Sequence, residues 1–321
     1  MFAAKKCAAV IPCFNEAATI APLVAAVRQH LPSVLVVNDG STDDTSNLAG
    51  GAGAVVISHR QNLGKGAALR TGLSLALKQG FEWALMLDGD GQHAPEDLPA
   101  LLRCAGQTGA LLVIGNRMRN ARAMPWLRRL VNQWMSRKLS RRAGRNLPDT
   151  QCGLRLIHLE TWAALPLKTK NFEVESETLM AFLAAGWRVE FVPIQVIRSG
   201  RSSHIRPVTD TLRWLRWWWN FRRLPASCNQ AGSVIQASQP LAAQTEMLHQ
   251  KSLTDIRAGS LAGIPDVFSA GINVAVSPAR LDAREAAGKG HGFVELRVDH
   301  NFAAQVHESP VSGLTHRSQP L

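Results

Sequence analysis

The sequence predicts an α/β fold in which helices cover both faces of a mostly parallel central sheet. Short apolar segments typical of buried strands alternate with helical segments over residues 8–114, a pattern characteristic of parallel sheets. Charged residues follow several of these strands, among them Asp39, Asp88 and Arg117. Ligands bind beyond the carboxyl ends of parallel strands, which share one edge of the sheet. We therefore expect a binding site along that edge.

Five strands are predicted as short apolar runs over residues 8–13, 33–37, 54–58, 82–87 and 111–114. Helical segments separate them: one ends at His30, one follows Ser41 and Thr42, one covers 65–79, and one begins at Pro95. After Arg117 the alternation stops. Helices are then predicted over 125–142, 171–186 and 209–224, with strand character between 187 and 197.

Residues 225–321 have a different composition, rich in Ala, Ser, Gly and Gln without a sustained period. Only the segments 272–276 and 293–298 are candidate strands there. Such a composition leaves little apolar surface to bury. We therefore expect one folded domain over residues 1–224 and a poorly ordered tail of unknown role over 225–321.

Charge and cysteine content restrict the partners and the compartment. The 321 residues carry a net charge of +12, and residues 117–145 contain no acidic residue, which favours phosphorylated ligands, anionic membranes or nucleic acid. The five cysteines are odd in number and lack metal-ligand spacing, which favours a reducing compartment. No apolar run approaches the roughly 20 residues of a membrane-spanning helix. We expect a cytoplasmic protein.

The segment LMLDGDGQH carries the strongest chemical signal. Asp88, Asp90 and Gln92 follow the fourth strand at spacings of two residues, which places their oxygens on one face of an extended chain. Oxygen ligands of this kind suit Mg²⁺ or Mn²⁺. An acidic turn is the structural alternative. A calcium-binding EF-hand loop is excluded, because His93 and Pro99 stand where Gly and Glu are needed.

A second glycine-rich segment, Asn62 to Gly66, lacks the spacing and the hydroxyl residue of a phosphate-binding P-loop. We expect it to form a tight turn into a helix, with Lys65 facing a phosphate group. The sequence supports neither ATP hydrolysis nor dinucleotide binding.

Taken together, these segments resemble the family-2 inverting glycosyltransferases, in particular the branch similar to dolichyl- or polyprenyl-phosphate mannose (or glucose) synthases. The resemblance covers the chain from about Cys7 to Leu224. The matching segments are IPCFNE, VVNDGSTDDT, NLGKGAALRTGL, LDGDGQH, GNR, DTQCGLR and RSGRSSH. Two features depart from the family pattern: Asn38 replaces a common Asp, and the tail replaces the transmembrane helices of many members.

The resemblance implies a GT-A fold, a nucleotide-diphosphate sugar donor (a UDP- or GDP-sugar) and a polyprenyl-phosphate acceptor. By the same resemblance the nucleoside is bound by Pro12, Phe14, Glu16 and Asp39. The metal and the diphosphate are assigned to Asp88, Asp90 and Gln92, and a phosphate to Arg117. Residues matched to donor or acceptor phosphates are Arg128, Asn132, Arg198 and Ser202.

Sugar transfer places negative charge on the leaving diphosphate, which a divalent ion at Asp88 and Asp90, with Arg117 and Lys65 nearby, would stabilise. A lipid phosphate is already ionised and attacks the opposite face of the sugar without help. A hydroxyl acceptor needs a general base, for which Glu177, or alternatively Glu175, is the candidate. A non-catalytic basic protein binding RNA or membranes is the rival from another class. The intact acidic motifs argue against it, and we expect no nucleic-acid partner.

Two predicted helices, 125–142 and 211–224, combine Trp and Leu with dense Arg, including Trp217, Trp218 and Trp219 in succession. Helices of this composition lie in the interface of anionic membranes. The alternative is that the Trp residues belong to the core and the Arg residues face solvent. We expect peripheral binding at the cytoplasmic face of the membrane.

Overall fold

The computed structural model of the protein describes residues 6–197, 207–221, 272–275 and 295–298. Within these ranges nine strands form one sheet. The strands are β1 (Cys7–Cys13), β2 (Val34–Asn38), β3 (Val55–His59), β4 (Trp83–Met86), β5 (Leu112–Asn116), β6 (Arg155–His158), β7 (Val189–Pro193), β8 (Ile272–Ala275) and β9 (Glu295–Val298).

The strand order is β7-β5-β6-β4-β1-β2-β3-β9-β8. The strands β1 to β4 pair only in parallel with one another, as the alternating pattern predicts. The strand β6 is inserted between β4 and β5 and is antiparallel to both, while β7 pairs in parallel with β5. The predicted α/β architecture with a mostly parallel sheet is therefore confirmed.

Eight helices lie in the described ranges, and each segment predicted as helical overlaps one of them. They are α1 (Ile20–Arg28), α2 (Thr45–Gly51), α3 (Lys65–Lys78), α4 (Leu98–Thr108), α5 (Trp126–Ala143), α6 (Leu159–Ala163), α7 (Val174–Ala184) and α8 (Pro207–Phe221). A 3₁₀ turn, Pro95–Asp97, precedes α4. The segment Arg117–Ala123 also forms 3₁₀ turns, interrupted at Asn120.

The central strands are buried on both faces, which explains why they read as continuous apolar runs. Every residue of β2 and β5 is buried, as is β1 except Pro12. The register pairs Cys13 with Asn38 and Asn38 with Ser58. The segments after β1, β2, β3 and β4 consequently leave the sheet at a common edge.

Two strands of the tail extend the sheet at its far side. β9 pairs in parallel with β3, and β8 pairs antiparallel with β9, at the two segments that the sequence marks as candidate strands. The order of the rest of the tail, outside these two strands, stays a prediction. Among the described residues, no helix has the length and apolar character that crossing a bilayer requires.

Candidate active site

The segment predicted to bind a metal through Asp88, Asp90 and Gln92, termed the metal motif, forms a turn directly after β4. Gly89 and Asp90 form the turn, and the Gln92 amide donates to Asp90 Oδ1 at 3.0 Å. The extended backbone expected for Asp88, Asp90 and Gln92 is thus wrong, because the chain turns at Gly89 and Asp90. The turn lies against the end of β1, where a Cβ on Gly89 would be 2.6 Å from Cys13 Sγ.

Lys65, at the start of α3, reaches the first carboxylate of this motif. Its Nζ lies 2.5 Å from Asp88 Oδ1 and 2.6 Å from Glu175 Oε1, with the Phe172 ring centroid 5.4 Å away. Burial opposes the charge, but the two carboxylates raise the pKa of the Lys65 ammonium above its ordinary value. Lys65 is therefore a fixed cation that joins α3 and α7 to the end of β4.

The two aspartates of the motif have different electrostatic environments. Burial opposes ionisation of Asp88, but the Lys65 ammonium lowers the pKa of this carboxyl well below its usual range. Burial and the Asp88 carboxylate together raise the pKa of Asp90. Additional positive charge beside Asp90 would relieve this repulsion.

The donor set fits a divalent cation such as Mg²⁺ or Mn²⁺. Asp88 and Asp90 supply carboxylates and Gln92 supplies an amide oxygen, all of which are hard ligands. Across the described ranges no group of three or more His, Cys, Asp or Glu residues is arranged to hold a metal ion. An ion here would need further oxygens from water or from a bound phosphate group, as Mg²⁺ sites commonly do.

Arg117, predicted to bind phosphate, is engaged in a buried ion pair. Its Nε and Nη2 donate to the two oxygens of Asp149 at 2.8 and 2.9 Å, and its backbone N–H donates to Oδ2 at 3.0 Å. A bidentate pair of this kind fixes the guanidinium plane. In this structure Arg117 therefore positions the loop containing Asp149, and its contact with phosphate stays a prediction.

Arg128 is the arginine that reaches the metal motif. From the first turn of α5 its Nη1 donates to Gln92 Oε1 at 3.1 Å. Burial and the Arg117 guanidinium lower the pKa of Arg128, so a bound anion would be favoured beside it. Asn132, one turn further along α5, is buried with its Nδ2 3.8 Å from Met124 Sδ. Arg198 and Ser202 lie outside the described residues.

Asp39, assigned to the nucleoside, is buried and accepts several hydrogen bonds from the protein. The backbone N–H groups of Leu63 and Gly64 donate to it at 2.9 and 2.8 Å, and His59 Nδ1 lies 2.7 Å from Oδ1. The other ring nitrogen of His59 lies 3.0 Å from Thr71 Oγ1. Asp39 thus fixes the loop that leads into Lys65. Sequence reasoning missed His59, although it ends the strand beside β2.

The other residues assigned to the nucleoside lie where β1 ends. Pro12 and Phe14 are partly buried and Glu16 is buried. Thr19 Oγ1 contacts Glu16 Oε2 at 3.2 Å and donates to the Gly89 carbonyl at 2.7 Å. Glu16 and the backbone of Pro12 therefore adjoin the metal motif, as the predicted common edge requires.

Glu177, predicted as the candidate base, points away from the motif. Its carboxylate accepts hydrogen bonds from the backbone of Lys168 and Thr169 at 3.0 and 2.9 Å and from the Thr169 hydroxyl at 2.6 Å. Two residues along a helix correspond to about 200° of rotation. Glu175 therefore faces Lys65 and Asp88, while Glu177 holds the preceding loop.

The loop of residues 149–153, termed the 149–153 loop, closes the site. A Cβ on Gly153 would be 2.4 Å from Asp88 Oδ2, so the loop backbone lies directly against that carboxylate. Beneath it, the fully buried Arg155 donates to the carbonyls of Thr150, Cys152 and Glu175 at 2.6–3.0 Å. The segment DTQCGLR thus supplies both the partner of Arg117 and the backing of Asp88.

Known proteins share this fold and these segments. The family model described as glycosyl transferase family 2 matches residues 8–161. Polyprenol monophosphomannose synthase of Mycolicibacterium smegmatis is 33% identical over 200 residues, which cover 58% of this chain and 75% of the relative. A UDP-N-acetylglucosamine–dolichyl-phosphate N-acetylglucosaminyltransferase of Methanococcus voltae is 28% identical, covering 60% of this chain and 86% of the relative.

A solved structure gives the same result for the fold. Glucosyl-3-phosphoglycerate synthase of Mycobacterium tuberculosis, in complex with Mn²⁺, UDP and phosphoglyceric acid, superposes with a TM-score of 0.53 at 26% identity. The match covers 67% of this chain and 77% of that structure. The expected GT-A fold is thereby confirmed. Together with the family model, the Mycolicibacterium smegmatis relative of 33% identity shows that the chain belongs to glycosyl transferase family 2 and is a glycosyltransferase.

Proposed function

We propose that the protein transfers a sugar from a nucleotide-diphosphate sugar to a polyprenyl phosphate, with inversion at the sugar and with Mg²⁺ or Mn²⁺. The observation that carries this proposal is the cluster of Asp88, Asp90, Gln92, Lys65 and Arg128 at the carboxyl edge of the sheet. It combines oxygen ligands for a metal with cations for a diphosphate. The names of two relatives, which specify polyprenol or dolichyl phosphate, support the acceptor class.

The donor side requires stabilisation of the leaving diphosphate. When bound, a divalent ion supplies positive charge to the diphosphate oxygens. Arg128 would contact the diphosphate from α5, and Lys65 would add charge from α3 while holding Asp88 in place. Since these groups are fixed before the donor arrives, little reorganisation is needed during the reaction.

The two glutamates of α7 determine which class of acceptor fits the site. A hydroxyl acceptor needs a general base, but Glu175 is paired with Lys65 and Glu177 accepts hydrogen bonds from the loop at Lys168 and Thr169. A lipid phosphate is ionised near neutral pH and needs no base. A phosphate acceptor is thus the better match to these carboxylates.

An exposed apolar surface accompanied by arginines supports the lipid acceptor. Trp134 of α5 packs edge-on against Trp214 of α8 at 5.5 Å, so the two helices are neighbours. Exposed apolar side chains on both form what we term the α5–α8 patch: Trp126, Leu127, Leu130, Trp134, Leu212, Leu215 and Trp219. Exposed arginines accompany them, and α5 has no acidic residue. We propose that this patch binds the cytoplasmic face of an anionic membrane.

The donor and acceptor are tested together by single-turnover assays. A panel of UDP- and GDP-sugars would be presented with a polyprenyl phosphate or, as the matched control, the corresponding polyprenol. We expect transfer to the phosphate, loss of transfer with EDTA, and recovery with Mg²⁺ or Mn²⁺. Transfer to the polyprenol alone would contradict the proposed acceptor, and transfer insensitive to EDTA would contradict the metal.

The metal is tested separately with Asp90→Ala. This residue lies in a turn outside the regular elements, so the fold should be retained. We expect Mn²⁺ to increase the affinity of the parent protein for UDP, and the variant to lose this increase, a change of at least about tenfold. An Mn²⁺-dependent affinity equal to the parent's, measured by calorimetry, would show that the ion binds elsewhere.

A further inference from the structure

A line of hydrogen bonds connects α8 to the 149–153 loop. Trp214 Nε1 donates to Ser176 Oγ at 2.9 Å, and Gln151 Nε2 donates to the same oxygen at 2.8 Å. Gln151 Nε2 also donates to Thr150 Oγ1 at 3.0 Å. From Thr150 the line continues to Ser136 of α5, at 3.1 Å between the two hydroxyl oxygens.

The groups on either side of Gln151 are shielded from water, while Gln151 itself is partly buried. Trp214 is 2% exposed, and Ser176 and Thr150 are fully buried. A buried polar group that loses its partner cannot exchange it readily for water, so removing one member affects the others. The position of Gln151 therefore depends on the donor that α8 supplies to Ser176.

The loop at the other end of the line shapes the active site. Its last residue, Gly153, lies against the Asp88 carboxylate, and its first, Asp149, holds the Arg117 guanidinium. Displacements of about 1 Å in such supports are enough to reduce a reaction rate strongly. A change in Gln151 would thus reach groups around the diphosphate.

The packing of α8 explains how Trp214 is itself held. Its ring stacks on Trp218 at 5.8 Å with an interplanar angle of 5° and meets Trp134 edge-on. On the outer side of α8, Leu212, Leu215 and Trp219 belong to the α5–α8 patch. The helix α8 therefore has an outward apolar face, and on its inward side it donates the hydrogen bond to Ser176 that connects it to the 149–153 loop.

We propose that Trp214 is a positioning residue for the active site, acting through Ser176 and Gln151 on the 149–153 loop. The indole N–H makes the geometry around Asp88 depend on the seating of α8 against α5 and α7. Its effect on turnover rests on the proposed glycosyl transfer, whereas its effect on the loop does not.

The loop is tested first, without any substrate. Trp214→Phe removes the N–H and keeps an aromatic ring, and Trp218→Phe makes the same exchange one turn further along α8. We expect hydrogen–deuterium exchange in a peptide covering 149–155 to rise about fivefold in Trp214→Phe, the effect of one lost buried hydrogen bond, and to stay near the parent's in Trp218→Phe. Equal exchange in both variants, raised or not, would overturn the proposal.

Turnover is tested with Trp214→Phe, Ser176→Ala and the double variant, using a donor that the single-turnover panel has identified. We expect each single variant to lower kcat about fivefold with a donor KM within about twofold of the parent's. The double variant should be no worse than Ser176→Ala, because both changes break the same line. Additive losses, or losses confined to KM, would overturn the proposal.

The design separates the two hypotheses. If no nucleotide sugar supports transfer, the proposed function fails and the exchange experiment still decides the role of Trp214. If Trp214→Phe loses its near-ultraviolet circular dichroism, Ser176→Ala tests the same line from the acceptor side and leaves the ring stack of α8 unchanged. Unaltered exchange at the loop in Ser176→Ala would then overturn the proposal.

Discussion

Asp88 is positioned by residues from three separate parts of the chain. Lys65 of α3 pairs with one oxygen, His93 Nε2 lies 3.6 Å from the other, and the Gly153 backbone approaches the same carboxylate. A carboxylate restrained in this way keeps one orientation before any ligand binds. Such preorganisation is what makes fixed groups effective at a site where charge develops.

Gly153→Ala should therefore impair the site more than the fold. The added methyl group would lie 2.4 Å from Asp88 Oδ2 and would displace the carboxylate, whereas the backbone of Gly153 is not in the left-handed region that favours glycine. We expect the affinity for UDP with Mn²⁺ to fall about tenfold or more, with a small change in melting temperature.

Gly51→Ala on α2 is the matched control, because a Cβ at this position meets no atom within 4 Å. Calorimetric titration of both variants with UDP and Mn²⁺ makes the comparison. A Gly153→Ala protein that binds as the parent does would show that Asp88 is free to move.

Glu173 should lower stability at neutral pH. Its Oε2 is buried and has no hydrogen-bond partner in the structure's described part, and burial raises the pKa of this carboxyl above the ordinary 4.5. Ionisation is therefore harder in the folded than in the unfolded protein, so stability declines as the pH rises from about 4.5 through the folded pKa. Glu173→Gln should then stabilise the protein at pH 7 by on the order of 1 kcal/mol.

Melting temperatures across a pH series check this prediction. The gain in Glu173→Gln should shrink as the pH falls through the raised pKa of folded Glu173 towards 4.5, and should be small below that pH. Glu177→Gln, one helical turn away, is the contrasting variant, because it weakens charge-assisted bonds to Lys168 and Thr169 and should destabilise. A Glu173→Gln protein with a lower melting temperature than the parent at pH 7 would refute the claim that burial of the Glu173 carboxylate destabilises the protein.

At the scale of secondary-structure elements, the sequence predicts which strands and helices form better than it predicts how they are arranged in the sheet. The apolar runs of β1 to β5 and the periodic helices are recognisable because burial on one or two faces leaves a pattern in neighbouring residues. The antiparallel insertion of β6 is not predicted, because its partners β4 and β5 lie much earlier in the chain.

The same difference between local features and long-range contacts applies to the candidate site. Asp88, Asp90, Gln92 and Lys65 are recognisable because each motif is local in sequence. The bidentate contact of Arg117 with Asp149 and the hydrogen bonds of Glu177 depend on distant chain segments. The exchange of roles between Glu175 and Glu177 follows from helix orientation, which the sequence alone leaves open.

The α5–α8 patch gives a prediction at the element scale. Trp126, Leu127 and Leu130 are 68%, 52% and 51% exposed, so changing them should affect docking more than folding. We expect the parent to sediment with anionic vesicles, less so at high salt. Leu127→Ser with Leu130→Ser should lower this partitioning by at least about a hundredfold, since each buried leucine contributes about 1.5–3 kcal/mol.

Leu48→Ser is the matched control, an exposed leucine of α2 that lies outside the patch. Neutral vesicles separate electrostatic from purely apolar binding. Partitioning that is independent of both salt and lipid charge would rule out docking through this surface. An equal reduction by Leu48→Ser and by the double variant would rule it out as well.

At the scale of the whole molecule, the sheet has two parts with different tasks. The parallel strands β1 to β4 carry the residues assigned to the nucleoside and the metal, while β5 leads to Arg117 and α5. The antiparallel β6 joins these parts and leads from the 149–153 loop. The site therefore lies where the strand order changes direction, as is common in open α/β sheets.

Truncation after Leu224 tests the role of the tail. It removes β8 and β9 and uncovers the outer edge of β3, which is a surface for strand pairing between molecules. We expect the truncated protein to keep its affinity for UDP with Mn²⁺, because the motif residues all precede the cut, and to self-associate more in light scattering. A loss of UDP affinity would show that the tail completes the nucleotide-binding part.

The insertion of β6 also has a consequence for synthesis. As the chain leaves the ribosome, β4 can pair with β1 long before β6 has been translated, and at about 5–20 residues per second the interval lasts several seconds. During that time the other edge of β4, at Ala84, Leu85 and Met86, has not yet met its partner. Such edges are where nascent chains associate wrongly or bind chaperones. The strand that completes the catalytic edge of the sheet is thus also the one that ends this vulnerable period.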